Sequence, residues 1–153
     1  DRKDYANFNR FPQAKGVVVS EFSKALNNIP INKNSYIAIV TRGHRQDDSA
    51  LESAIQTPAR YVGLMGSVRK TLLIFKNLLS KGYSKQTLEK IYAPIGLSVG
   101  AITPEEIAIS IMSEVIMIRR GGTGHPMKMK ESLIERIESQ IKENKCEKSR
   151  HFS

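Results

Sequence analysis

Tyr61-Val62-Gly63-Leu64-Met65-Gly66-Ser67-Val68-Arg69-Lys70 is the stretch on which the fold turns. It reads as a short apolar strand, a tight turn containing Gly66, and a helix opening at Ser67 with two cations in its first turn. Helix N-termini present N–H groups without intrahelical partners and a partial positive charge, so they attract anions. Gly66 lets backbone come close to a ligand, and Arg69 and Lys70 match phosphate. Open α/β sheets bind ligands at turns of this kind, past the carboxyl ends of their strands. A plain strand-to-helix turn with solvated cations accounts for the stretch equally well.

Upstream, Tyr36-Ile37-Ala38-Ile39-Val40 is apolar on both faces, the pattern of a parallel strand covered by helices on both sides. It ends at Thr41-Arg42-Gly43-His44, after which Asp47 or Asp48 is expected to cap a short helix holding Leu51, Ala54 and Ile55. Asp47 is read as a cap before it is read as a catalytic acid. Earlier still, Gly16-Val17-Val18-Val19 reads as a strand. Ser20 would then cap a helix with Phe22, Ala25 and Leu26. Residues 1–15 read as loop.

Downstream, the spacing predicts a helix from Ser67 to Lys81 with Leu72, Phe75 and Leu79 on its inner face and Gly82 as its stop. Ser84 begins a short helix with Leu88 and Ile91, and Ala93 to Gly100 reads as a short strand with a shaped loop. In Thr103-Pro104-Glu105-Glu106 the threonine stands at the N-cap, the proline at the first helical position and Glu106 at the capping-box position. The helix that follows is apolar on nearly every face, which predicts burial against the sheet. Arg119-Arg120 suit its negative end and Gly121-Gly122 stop it. Residues 123–153 form a separate amphipathic helix, with Met129, Leu133, Ile137 and Ile141 recurring every fourth residue, and a frayed tail.

Strands alternating with helices predict an α/β fold, a Rossmann-like three-layer parallel sheet over residues 1–122 with the extra C-terminal helix beyond it. Right-handed crossovers would bring the turns at Arg42–His44, Gly63–Lys70 and Pro94–Gly100 to one sheet edge. That convergence is the sequence's main argument for a ligand site. Arg42, Arg69 and Lys70 are its anion partners. Gly43, Gly63, Gly66, Ser67, Pro94, Gly96 and Ser98 shape it, and His44 is either a ligand contact or a structural histidine. No nucleophile–base pair or catalytic carboxylate pair is legible. His44, His125 and His151 stand too far apart to suggest a metal.

At 153 residues the chain fits one domain, with 40% hydrophobic and 25% charged residues in a globular balance. No apolar run approaches the roughly 20 residues of a membrane span, and the polar start does not resemble a signal peptide. A single cysteine, Cys146, suits a reducing cytoplasm. The net charge of +9 permits acidic partners, yet scattered cations and only 7% aromatic residues offer no nucleic-acid platform.

Five motifs taken in order resemble the C-terminal Rossmann domain of the xanthine dehydrogenase accessory (XdhC/CoxI) family. They are Asn7 to Pro12, Thr41 to Asp47, Gly63 to Lys70, Pro94 to Leu97, and Thr103 to Ala108. The likeness covers residues 1–120. It implies a chaperone that binds molybdenum cofactor, a phosphorylated pterin, and helps its sulfuration and insertion into a molybdenum hydroxylase apo-enzyme. A cysteine desulfurase is an implied further partner, and NAD(P) or another nucleotide an implied ligand of the intact protein. The competing function is a nucleotide-dependent oxidoreductase, because the fold is shared with dehydrogenases. A purely structural assembly module is a third.

Two departures accompany the likeness. The family's first strand–helix–strand unit, with its dinucleotide-type glycines, precedes the segment that begins here at Asp1, so the chain reads as truncated at the N-terminus. Exposed sheet edges would then be repaired by a dimer or a swapped sheet. Ser98 stands where the family tends to carry an acid.

Overall fold

A computed structural model describes residues 2–41 and 44–150, with 44–45 and 143–150 as backbone only. In chain order the elements are α1 (Phe22–Ala25), a 3-10 turn (Leu26–Asn28), β1 (Tyr36–Ile39), α2 (His44–Ile55), β2 (Tyr61–Leu64) and α3 (Val68–Ser80). Then come α4 (Lys85–Leu88), β3 (Ile91–Tyr92), α5 (Pro104–Arg120) and α6 (Glu131–Arg150). The chain divides into two compact units, residues 1–123 and 124–153.

The first unit is the expected Rossmann-like α/β arrangement, a parallel sheet of order β1-β2-β3. Tyr36 pairs with Tyr61, Ile39 with Leu64, and Gly63 with Tyr92. Every residue of the central strand β2 is buried. Successive strand side chains point to opposite faces. Ile39, Val62, Leu64 and Ile91 therefore share one face, in a cluster with Ala50, Leu51 and Ala54 of α2 and Ile74 and Leu78 of α3. Tyr36, Tyr61, Gly63 and Tyr92 share the other. There Tyr61 stacks on Tyr92 at 4.8 Å between ring centroids and meets Tyr36 at 6.2 Å. Helix α5 lies on this tyrosine face, tied to β2 by the Tyr61–Glu114 bond and to the residue before it by Arg60, whose guanidinium donates to the Ile118 carbonyl.

Local signals place the helix ends well. Ser67 caps α3 by accepting from the Lys70 N–H, and Ser84 caps α4 by accepting from the Thr87 N–H. Thr103 and Glu106 form the reciprocal capping box of α5, which ends at Gly121 with φ +73°, a left-handed conformation that glycine adopts without strain.

Five expectations change. Gly16 to Val19 forms no strand: the run joins neither edge of the sheet, and its largely exposed backbone is left to water. Glu21, not Ser20, stands at the N-cap of α1, without a side-chain cap bond. Helix α2 opens at His44, so neither Asp47 nor Asp48 caps it; Asp47 turns inward within the first turn. On α3 the buried residues are Thr71, Ile74 and Leu78, while Leu72 and Leu79 are exposed. Ile91 begins β3, ahead of the loop expected to hold that strand.

Helix α5 also departs from the expected burial: its buried residues are Ser110 and Glu114, whereas Ile109, Met112 and Ile116 are exposed. In the second unit, α6 carries Leu133, Ile134, Ile137 and Ile141. No helix among the described residues is long and apolar enough to cross a membrane.

Candidate functional site

Because all the strands are parallel, the turns that follow them leave the sheet by one edge. Two backbone bonds extend the ladder into those turns: the Met65 N–H donates to Ile39 at 2.9 Å, and the Ile95 N–H to Leu64 at 3.0 Å. The three turns read from the sequence thus start side by side.

The first two turns are joined by charge. Asp47, fully buried, accepts from the Thr41 hydroxyl and pairs with the Lys70 ammonium, whose side chain is itself mostly buried. A buried carboxylate is tolerable only with such partners. The pairing changes the role of Lys70. Its charge is committed to Asp47, and the Lys70 stem lies 3.0 Å from where a Cβ on Gly66 would stand. Glycine at 66 therefore serves the passage of this lysine.

The exposed cation of the turn is Arg69. With Ser67, Lys70, Leu72, Leu73 and Lys76 it lines an open concavity of about 700 Å³ along the first turns of α3. That lining contains three cations and no carboxylate. Lys76 was not read from the sequence as a site residue; its spacing of seven from Arg69, two helical turns, was the available signal. A second hollow of about 590 Å³ lies past the end of β1, between Val40, Thr41 and Gln46 on one side and Arg2, Tyr5, Phe11 and Phe22 on the other. The Arg2 and Arg10 guanidinium groups lie over the Tyr5 ring, at 4.8 and 5.1 Å from its centroid.

The third turn is held from beneath. Ile95 lies over Gly63, where a Cβ would come within 2.5 Å of its Cδ1 and 2.6 Å of the Tyr61 hydroxyl. Gly63 is thus a packing glycine under the loop. The Glu114 carboxylate, 6% exposed as a residue, accepts from the Tyr61 hydroxyl at 2.5 Å and from the Gly96 N–H at 3.0 Å through one oxygen. Burial, and next the bond to Glu114, raise the Tyr61 pKa far above the usual phenol range. Ser110 donates to the Leu97 carbonyl at 2.6 Å, and the Leu97 N–H donates to the Ser110 carbonyl at 3.3 Å. Gly96, at φ +100°, leaves no room for a Cβ, which would fall 2.5 Å from the Ser110 hydroxyl. Pro94, joined to Ala93 by a cis peptide, and Ser98 are exposed in this loop.

The structure therefore brings Ser67, Arg69 and Lys70 to one concavity, puts Gly66 at their turn, and sets Pro94, Gly96 and Ser98 in the loop after β3, over Gly63. Arg42 and Gly43 lie outside the described residues, and His44 is placed only as the backbone start of α2. Tyr61, Ser110 and Glu114 escaped the sequence reading as loop supports. A solitary carboxylate in the apolar run of α5 was the one signal that pointed to them. Among the described residues, no His, Cys, Asp or Glu group has the clustering to hold a metal ion.

Comparisons with known proteins converge. Residues 1–115 match the family model described as the XdhC Rossmann domain. The chain is 32% identical over 123 residues to "Uncharacterized protein YqeB" of Escherichia coli, covering 80% of this chain and 22% of that protein. It is 29% identical over 119 residues to a probable xanthine dehydrogenase subunit of Bacillus subtilis, covering 78% of this chain and 34% of the relative. It is 25% identical over 89 residues to "Molybdenum cofactor insertion chaperone PaoD" of Escherichia coli, covering 58% and 28%. A crystal structure of a xanthine dehydrogenase from Bacillus halodurans matches with a TM-score of 0.66 and 28% identity, over 80% of this chain and 34% of that one. The chain thus spans about a third or less of the length of the curated relatives it matches. With a family model covering most of its length, and with the sheet and turns that model implies, this chain belongs to the XdhC Rossmann domain family.

Proposed function

We propose that this chain acts as an accessory protein in the maturation of a xanthine dehydrogenase-type molybdenum hydroxylase, binding the molybdenum cofactor and assisting its sulfuration or insertion. The hydroxylase apo-enzyme is the partner that receives the cofactor, and a cysteine desulfurase would supply sulfur. The observation that carries the reading is the concavity at the start of α3, which has no carboxylate in its lining and gathers Arg69 and Lys76 beside a Lys70 already paired with Asp47. A pterin phosphate suits such a lining, since an ionised acceptor forms short, strong bonds to cationic donors. The apolar Leu72 and Leu73 walls give the flat ring system a surface to lie against.

Within this reading, Arg69 and Lys76 hold the phosphate, and Lys70 fixes the turn through Asp47. The loop from Pro94 to Ser98, steadied by Glu114, borders the same sheet edge. The cofactor supplies the redox chemistry of the enzyme that receives it; this chain binds and orients it. Relatives named for cofactor insertion and for xanthine dehydrogenase support the assignment.

Fluorescence titration of the chain with isolated molybdenum cofactor tests it. Replacing Arg69 and Lys76 together with alanine should weaken binding about 10-fold or more, because each charged donor lost removes on the order of 1 kcal/mol or more. Lys85→Ala, at an exposed position on α4, should leave affinity unchanged. Unaltered binding by the double variant removes the site, and no binding by the parent protein removes the function.

A further inference from the structure

Helix α5 presents chemistry on its outer side that a solvated outer-layer helix has no use for. Its inner side is the polar one, holding Ser110 and Glu114 against the loop after β3. Ile109, Met112 and Ile116 are 66%, 56% and 55% exposed. At 3.6 residues per turn, Glu105, Ile109, Met112, Ile116 and Arg119 fall within roughly 80° of arc along about 21 Å of helix. Helices on a sheet normally place charge on this side.

The order along the stripe is acid, isoleucine, methionine, isoleucine, base. Rotated end for end about Met112, it meets its own complement. We propose that this face of α5 is the interface of a homodimer, in which two copies pair antiparallel across a two-fold axis at Met112. Ile109 of each copy packs on Ile116 of the other, and Glu105 of each faces Arg119 and Arg120 of the other. A two-fold contact requires such self-complementarity, since each residue meets the same set of partners on both sides. The antiparallel arrangement also sets the positive end of each helix dipole beside the negative end of the other. A parallel pairing would bring Glu105 against its own copy, and a partner of uniform charge would meet like charge at one end. Ile102, 84% exposed just ahead of the helix, adds apolar area towards the roughly 1,200 Å² that a specific interface needs.

Analytical ultracentrifugation of the full chain across a concentration series tests the proposal. A reversible monomer–dimer equilibrium is expected. Met112→Glu, which sets two carboxylates together on the axis, should raise the dissociation constant about 100-fold or more. The exposed position protects against a trivial folding defect, which far-UV circular dichroism checks. Glu105→Arg alone, and Arg119→Glu with Arg120→Glu, should each weaken the dimer, and the three together should restore it. In a Cys146→Ser background, Met112→Cys should give an intermolecular disulfide on mild oxidation. A monomer at every concentration overturns the proposal, whatever else then covers the stripe. So does a dimer indifferent to Met112→Glu, or a charge swap that fails to restore association.

Discussion

Removing the Glu114 carboxylate should be the most damaging single polar substitution on the tyrosine face of the sheet. One oxygen of Glu114 is the acceptor for both the Tyr61 hydroxyl and the Gly96 N–H. Tyr61 is 1% exposed, so Glu114→Ala leaves its hydroxyl in a place water does not reach. A buried donor without an acceptor costs about 1–3 kcal/mol. The Gly96 N–H lies in a half-buried loop and recovers part of its loss from water. Together the two losses come to about 2–5 kcal/mol. That is a large share of the roughly 5–15 kcal/mol that holds a domain folded.

Urea unfolding followed by far-UV circular dichroism reads this as a lower midpoint at constant slope. Tyr61→Phe removes the stranded donor, so it should cost little in the Glu114→Ala background while costing about 1–3 kcal/mol in the parent. The cycle therefore carries a coupling of the same order. Glu114→Gln keeps an acceptor oxygen but exchanges charge-assisted bonds for neutral ones, and should fall between parent and alanine. A Glu114→Ala midpoint matching the parent, or strictly additive effects in the cycle, would refute the reasoning.

Packing, capping and titration set four other outcomes. Gly63→Ala drives a methyl into Ile95 and the Tyr61 hydroxyl, which should destabilise by about 1–3 kcal/mol, with partial rescue by Ile95→Ala in a thermal melt. Thr103→Ala removes the N-cap of α5 at about 1 kcal/mol, measurable by urea midpoint. Backbone N–H donors of Thr103 and then Ile102 lower the Glu106 pKa, so its stabilisation is present above the unfolded value near 4.3 and lost as pH falls through the folded one. The stability gap between parent and Glu106→Gln should accordingly close in acid. Tyr61 has the opposite sign: its raised folded pKa gives stability that is present below the unfolded value near 10 and lost as pH rises beyond it. Its phenolate absorbance should appear only together with unfolding, and that delayed component should vanish in Tyr61→Phe.

What the sequence disclosed and what it hid separate by range. Ser67, Thr103–Glu106 and Gly121 were legible because caps and stops are settled within a few residues. β1 and β2 were legible as apolar runs in an alternating pattern. On α3, by contrast, Leu72, Leu73, Ile74, Phe75, Leu78 and Leu79 spread apolar character over so wide an arc that periodicity alone admits several inner faces. The sheet chose Thr71, Ile74 and Leu78. The Tyr61–Glu114–Gly96 set was invisible for another reason: its members stand 53 and 18 residues apart, joined only by the crossover of α5 onto the sheet.

The same distinction reorders the candidate site. Read locally, Gly66 looks like a glycine that lets a ligand approach, Gly63 like one that shapes the same turn, and Arg69 and Lys70 like a pair that matches phosphate. In three dimensions, Gly63 admits Ile95, Gly66 admits the Lys70 stem, and Lys70 neutralises Asp47. Each of these residues shapes the rim, yet none brings an uncommitted charge to it. Positive potential along α3 then falls to Arg69 and Lys76, and the two kinds of residue should fail differently. Loss of the Lys70–Asp47 pair strands a buried charge and weakens the fold. Loss of Arg69 and Lys76 should leave the fold intact and weaken the anion binding proposed for the concavity.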